Sequence, residues 1–278
     1  MKVGQERFLT SNALAYSPRQ LFIFEKVKEK NRKEATNNLV INELEFMEYP
    51  VHRTAIYYLS RVKNPDYVVI YTYGGTNPHI FHYNEQGEIA EECKLQFTWE
   101  WMDKWLSNNV AIAILDVPTY FRINSSLPSS YRNTPDRLRE CLQAIDCVAA
   151  RFPHAKIAWH GMSYGCIEAS RISLLETKVE KVVLTSGPFH ILEGWDEYHQ
   201  GARLDKYDVS QAKVPVLIAH HKTEVFDKAK EEMAKTDSIL VTNSSTSSDG
   251  HYFRRRQIRV VAAICDWIRG NDFPREIP

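Results

Sequence analysis

The stretch AWHGMSYGC, residues 158–166, decides how this chain is read. Gly161-Met162-Ser163-Tyr164-Gly165 fits G-x-S-x-G, the pattern in which a serine occupies a strained turn between a strand and a helix. The flanks supply both elements. KIAWH (156–160) is a short apolar run suited to a buried strand, and YGCIEASRISLLE (164–176) spaces its apolar residues for an amphipathic helix. A tight turn puts its serine in unfavourable φ/ψ space and leaves little room beside it, so glycines at 161 and 165 suit it. The turn also sets Ser163 at a helix N-terminus, where unpaired N–H groups and the macrodipole favour negative charge. Ser163 is therefore a candidate nucleophile, and the backbone N–H of Tyr164 a candidate donor to a developing oxyanion.

Outward from this turn the chain repeats one theme. YVVIYTY (67–73), NVAIAILDV (109–117), KVVLTSG (181–187), VPVLIAHH (214–221) and SILVTNS (238–244) are nearly continuous apolar runs, as expected of strands buried on both faces. Helical patterns lie between and after them, at 89–107, 135–151, 164–176, 225–235 and 254–269. Strands alternating with helices predict βαβ units and a mostly parallel central sheet with helices on both faces. LVINELEFMEY (39–49) and RTAIYYLSRV (53–62) alternate with period two around Pro50, predicting an antiparallel pair at the N-terminal edge. A helix over 17–34 opens at Ser17-Pro18. The expectation is an α/β catalytic domain over 39–278 with no large cap domain, preceded by a helical extension, 1–38.

A serine hydroxyl attacks only when a base removes its proton. Of ten histidines, His251 is the best placed, in SSDGHYF after the last strand and before the final helix, on a loop turned by Asp249-Gly250. His160 lies on the strand side of the turn, and His220-His221 suit a role in shaping a turn or an acyl pocket. An acid to orient His251 should lie between 163 and 251, just after a strand. Glu224 is the first choice, Asp227 looks like the first turn of the next helix, and Asp196 is the third alternative. A second oxyanion donor should come from YTYGGTNPH (71–79), with the amide of Gly75, or of Thr76, as candidate.

These motifs together resemble the α/β-hydrolase superfamily across about residues 39–269. The glycine pair follows the third strand, GMSYG the fifth, an acid the seventh and Gly-His the eighth. More narrowly, LDVPTY, Tyr131-Arg132 before a helix, and the double histidine before the acid resemble dienelactone-hydrolase-like serine hydrolases of bacteria. In that family the acid is usually aspartate, where this chain has Glu224. The histidine pair usually reads His-Gly, and His-Gly-Gly is common where this chain has Tyr73-Gly74-Gly75. The resemblance implies a Ser-His-acid triad, acyl transfer to water and no cofactor or metal. A carboxylic ester is the expected substrate; thioesterase, peptidase or acyltransferase chemistry on the same triad and a non-catalytic binding protein are the alternatives.

Composition narrows the partners. Lys+Arg and Asp+Glu balance at 35 each, so nothing in the total charge points to nucleic acid or an anionic membrane; the small acyl substrate is what the resemblance implies. The runs at Lys26–Lys33 and Arg254–Arg256 read as solvated faces. Cys93, Cys141, Cys147, Cys166 and Cys265 form no C-x-x-C pair, so neither a zinc site nor a disulfide framework is indicated. The N-terminus has no apolar h-region and no apolar run approaches membrane-spanning length, so a soluble cytoplasmic chain is expected, a removed leader on a longer precursor remaining open. The stretches 118–135 and 188–209 should wall the site. There, Tyr120, Phe121, Phe189, Trp195 and Tyr198 fit either an acyl pocket or satellite packing. Arg122 and Arg132 fit the protein surface or a substrate carboxylate.

Overall fold

The computed structural model describes residues 41–48, 53–72, 74, 81–83, 89–92, 104–118, 129–187, 207–244, 246 and 250–278. The predicted 17–34 helix, Arg122, Asp196, Asp249, Gly75, Thr76, the named wall aromatics and Cys93 lie outside them.

Among the described residues, nine strands form one sheet in the order β1-β2-β6-β3-β7-β8-β9-β10-β11. β1 (Ile41–Glu48) and β2 (Arg53–Ser60) pair antiparallel, and β2 pairs antiparallel with β6 (Val110–Pro118). From β6 onward every pairing is parallel, through β3 (Tyr67–Thr72), β7 (Lys156–Met162), β8 (Val179–Thr185), β9 (Val216–His221) and β10 (Asp237–Val241). The expected antiparallel N-terminal edge and mostly parallel centre are both present. The chain runs from β3 to β6 on one side of it, then crosses back to β7 on the other. At such a reversal, outside the carboxyl ends of the central strands, α/β proteins place their sites.

The apolar runs are explained by what they touch. Within a strand, successive side chains enter opposite cores. Val69, Tyr71, Ile112, Ile114, Leu217 and Ala219 face one layer, and Val68, Ile70, Ala111, Ala113, Val216 and Ile218 the other. Helices α1 (Pro135–Arg151) and α2 (Gly165–Ser173) cover the second layer with Cys141, Ala144, Ile145, Val148, Ile167 and Ile172. Ala229 of α3 (Asp227–Ala234) joins them. Helix α4 (Gln257–Arg269) covers the first layer through Val260, Ala263, Ile264 and Trp267. Its end is set by Gly270, left-handed at φ 78. Helix α1 starts where Thr134 accepts from the Arg137 N–H, with Pro135 next.

Two parts of the expectation need correction. The helical pattern over 89–107 is not a helix at its start, because Ile89–Glu92 is strand β5, paired antiparallel with β4 (Phe81–Tyr83). Hairpin pairing overrides a short stretch whose apolar spacing also suits a helix. Of that span, residues 104–107 are helical among the described ones. The second correction adds β11 (Glu276–Ile277), two residues parallel to β10 that bury Ile277. A strand this short has no periodicity to reveal it.

Candidate active site

Strand β7 ends at Met162, and Ser163 follows with φ at 53°, in the left-handed region that non-glycine residues avoid. Hydrogen bonds hold the turn there. The Ser163 N–H donates to the Thr185 carbonyl at 2.8 Å, and the Cys166 N–H donates to the Ser163 carbonyl at 3.0 Å. The tightness behind the turn has a geometric cause. A Cβ on Gly161 would stand 2.4 Å from the Gly165 carbonyl oxygen and 2.7 Å from Ala169 Cβ, so a side chain there would push α2 off the strand. Cys166 fills the remaining space. Its buried thiol donates to the carbonyls of Gly161 (3.2 Å) and Thr185 (3.4 Å), and burial raises its pKa far above the usual thiol range. It packs the turn and is not a reactive thiol.

Gly74 approaches Ser163 from the end of β3. A Cβ there would lie 2.5 Å from the Tyr164 nitrogen and 2.8 Å from Ser163 Oγ. At Gly74 the chain leaving β3 therefore meets the Ser163 turn with no side chain of its own between them. Tyr164 caps α2, and burial raises its phenol to about 12.

The candidate acid and the candidate base come together beyond the ends of β9 and β10. Glu224 closes the short 3-10 turn Lys222–Glu224 after β9, and its Oε1 lies 2.5 Å from Nδ1 of His251. Glu224 is largely buried. Burial pushes its pKa up, but the hydrogen bond and charge of His251, with smaller effects of His220 and Ser186, outweigh that and hold it below the ordinary carboxylate value. Asp227 is solvent-exposed in the first turn of α3 and pairs with Lys230 at 3.2 Å. Of the two acids it is Glu224 that meets the histidine.

The loop that carries Glu224 is built by the histidine pair. His221 caps the turn, its Nδ1 2.7 Å from Thr223 Oγ1, while its Nε2 lies 3.0 Å from both the Asn243 carbonyl and Oδ1. His220 is wholly buried on β9. Gly250 packs against this anchor, since a Cβ there would stand 2.4 Å from His221 Nδ1. Phe253, wholly buried and left-handed at φ 49, pins the chain just past His251. His251 thus sits between an anchored glycine and an anchored phenylalanine. Its ring meets Tyr252 edge-on at 5.0 Å.

Three further groups surround the turn and the Glu224–His251 pair. Ser186, left-handed at φ 49, donates its hydroxyl to the His251 carbonyl at 2.8 Å. Thr185 bonds His160 Nε2 at 2.9 Å, and burial drops the pKa of that ring to about 3, so it stays neutral. The third is a buried ionic cluster against the outer side of α2. Arg132 Nη1 holds both oxygens of Glu168, at 3.0 and 2.9 Å. Arg137 bonds Glu168 (2.8 Å), Glu140 (2.8 Å) and the Asp116 carbonyl (3.1 Å), and Tyr131 donates to Glu140 at 2.6 Å. All four charged side chains are at most 2% exposed. Arg132 is therefore not a surface residue: it is buried and paired through Nη1 with Glu168, while its Nη2 makes no hydrogen bond among the described residues. Tyr131-Arg132 before α1 is a structural motif that ties the chain leading from β6 to the serine helix.

Among the described residues no group of three His, Cys, Asp or Glu could hold a metal ion, and no helix is long and apolar enough to cross a membrane. No family model and no curated protein matches the sequence. The fold is shared with solved structures at low identity. One of the two fungal esterases from Rhizomucor miehei is 14% identical with a TM-score of 0.58, covering 90% of each chain. The esterase Est22 is 12% identical with a TM-score of 0.60, over 92% of this chain and 90% of that one. An acylaminoacyl peptidase from Pyrococcus horikoshii is 13% identical with a TM-score of 0.55, over 87% of this chain and 43% of that one. Strand order, turn and likeness agree: this chain has the α/β-hydrolase fold.

Proposed function

We propose that the chain is a serine hydrolase that cleaves a carboxylic ester through an acyl-enzyme. Ser163 Oγ attacks the acyl carbon while His251 takes its proton, and Glu224 holds the imidazole through Nδ1 and stabilises its cation. Negative charge developing on the carbonyl oxygen is met by the N–H of Tyr164 and by the N–H of Gly75 beyond Gly74. His251 returns the proton to the leaving alcohol, then activates water to release the acid. This chemistry needs no metal or cofactor. It belongs to one domain, 39–278, acting on a small acyl substrate.

The observation that carries the reading is the 2.5 Å approach of Glu224 Oε1 to His251 Nδ1. A carboxylate on that nitrogen fixes the tautomer that leaves Nε2 as an acceptor. The left-handed φ of Ser163 supports it as well, since such strain persists where the surroundings require it.

A fluorophosphonate tests the reading directly. Labelling of the wild-type protein that disappears in Ser163→Ala, with hydrolysis of 4-nitrophenyl acetate lost in parallel, is the expected result. Undiminished turnover in Ser163→Ala would sink it, and a wild type that neither labels nor hydrolyses would mark a binding protein on the same fold. A series of acyl-chain lengths, run as oxygen esters, thioesters and peptide amides, with and without added alcohol acceptors, separates esterase from thioesterase, peptidase and acyltransferase.

A further inference from the structure

Glu224 has a second carboxylate oxygen, and its surroundings are unusual. Oε1 is satisfied by His251, but Oε2 is buried and makes no hydrogen bond among the described residues. A carboxylate oxygen left so in a protein interior is costly. The group that can relieve it is Ser186, whose side chain also bears on the Glu224 carboxylate. Ser186 is 3% exposed and directly follows Thr185, which receives the Ser163 N–H. Its own N–H is tied to the Ala219 carbonyl at 3.0 Å, so its position is set by the backbone of β9. It holds φ at 49° without being glycine. A glycine would fit that conformation at lower cost, so the hydroxyl is what the site retains.

We propose that Ser186 is a positioning residue of the triad, its single hydroxyl proton shared between the main-chain carbonyl of His251 and Oε2 of Glu224. The inference rests on the hydrolase reading above. With the proton on the carbonyl side, at 2.8 Å, Ser186 clamps the base. Rotation of the Ser186 side chain, which moves Oγ together with its proton, turns the same hydroxyl to Oε2 and satisfies the acid. The proton stays on Ser186 throughout, and no bond to substrate is made. While His251 is neutral, the carboxylate charge is least compensated and the hydroxyl serves it. Once His251 becomes a cation, the carboxylate is neutralised through Oε1 and the hydroxyl returns to the carbonyl. Acid and base are thereby held by one side chain anchored beside the nucleophile turn.

The test compares Ser186→Ala and Ser186→Gly with wild type in 4-nitrophenyl acetate hydrolysis, fluorophosphonate labelling and thermal unfolding. Ser186→Gly suits the left-handed backbone, so it folds without the hydroxyl. Loss of one charge-linked hydrogen bond should lower kcat and the labelling rate about tenfold in both variants. KM should stay within about twofold, because the hydroxyl does not bind substrate. The Gly variant should melt no lower than Ser186→Ala. A structural role alone would lower the melting temperature and leave kcat of the folded Gly variant intact. Wild-type kcat in Ser186→Gly, or a change confined to KM, overturns the inference while leaving the triad standing. A wild type that does not label at Ser163 overturns both.

Discussion

Gly250 lies so close to His221 that a Cβ on it would stand 2.4 Å from the ring Nδ1 and 2.7 Å from Thr223 Oγ1. That approach brings the last loop against the turn carrying Glu224, one residue before His251. Gly250→Ala should therefore separate acid from base without touching either. The overpacking should cost about 1–3 kcal/mol of stability. Turnover of a nitrophenyl ester should fall by more than the loss of folded protein, and an unchanged kcat in folded Gly250→Ala would refute the relationship.

Gly74→Ala addresses the other side of the site. Its Cβ would enter the space beside the Tyr164 N–H and Ser163 Oγ, where the substrate oxygen is proposed to sit. Loss of oxyanion stabilisation costs on the order of 10²–10³ in kcat. The expected result is a variant that folds but hydrolyses ester and accepts fluorophosphonate far more slowly. Wild-type labelling would exclude the Gly74 loop from the oxyanion site.

The choice of acid can be tested by a three-way comparison. Glu224→Gln should lower kcat by on the order of 10³–10⁴, since an amide presents the wrong group to Nδ1. Glu224→Asp keeps the charge but shortens the reach to a partner 2.5 Å away, so its activity should be intermediate. Asp227→Asn should leave kcat unchanged, because that side chain is solvent-exposed and paired only with Lys230 among the described residues. A larger effect at Asp227 than at Glu224 would reverse the assignment.

How much of this was legible depended on whether a residue's role leaves a local trace. The strands were, because burial on both faces makes runs such as VVLT and VLIA apolar throughout. The turn at Ser163 was, because a strained turn against a helix favours glycines beside it. The pairing of Glu224 with His251 followed from chain order and from the turn residues that precede the histidine. Ser186 was not legible. A serine at a strand end is common, and only the fold sets its hydroxyl between residues 65 and 38 positions away, at 251 and 224. Arg132 misled for the opposite reason. Its charge reads as surface until Glu168, 36 residues on, is brought against it. The strand Ile89–Glu92 was hidden because four residues suit either period, and pairing with Phe81–Tyr83 decides.

His160 gives a pH prediction. Burial lowers its pKa from 6.5 to about 3, so it is neutral in the folded protein where an unfolded chain would bind a proton. Its contribution is full above the unfolded value and is lost as pH falls from 6.5 toward 3, the unfolded state then holding the extra proton. Between pH 7 and pH 5 this one group should remove about 2 kcal/mol of folding stability. Urea unfolding at both pH values should show that decrement reduced by a similar amount in His160→Gln, even if the variant is less stable overall. An identical pH dependence in both proteins would show that the ring titrates normally.

The ionic cluster behind α2 should be sensitive to how it is broken. Glu168 takes bonds from two guanidiniums, Arg132 and Arg137, all three at most 2% exposed. Removing it leaves two buried cations with too few acceptors, while removing Arg132 leaves Glu168 still paired with Arg137. Breaking a buried pair on one side costs about 3–5 kcal/mol, whereas replacing both partners by apolar groups of similar volume can be neutral. Glu168→Leu should therefore destabilise more than Arg132→Met. The double variant should recover part of the loss, because Arg137 keeps Glu140 and the Asp116 carbonyl. Chemical denaturation of the three proteins reads this as a double-mutant cycle. Strictly additive losses would mean that Arg132 and Glu168 are not coupled, and that the segment entering α1 is held to the serine helix by packing alone.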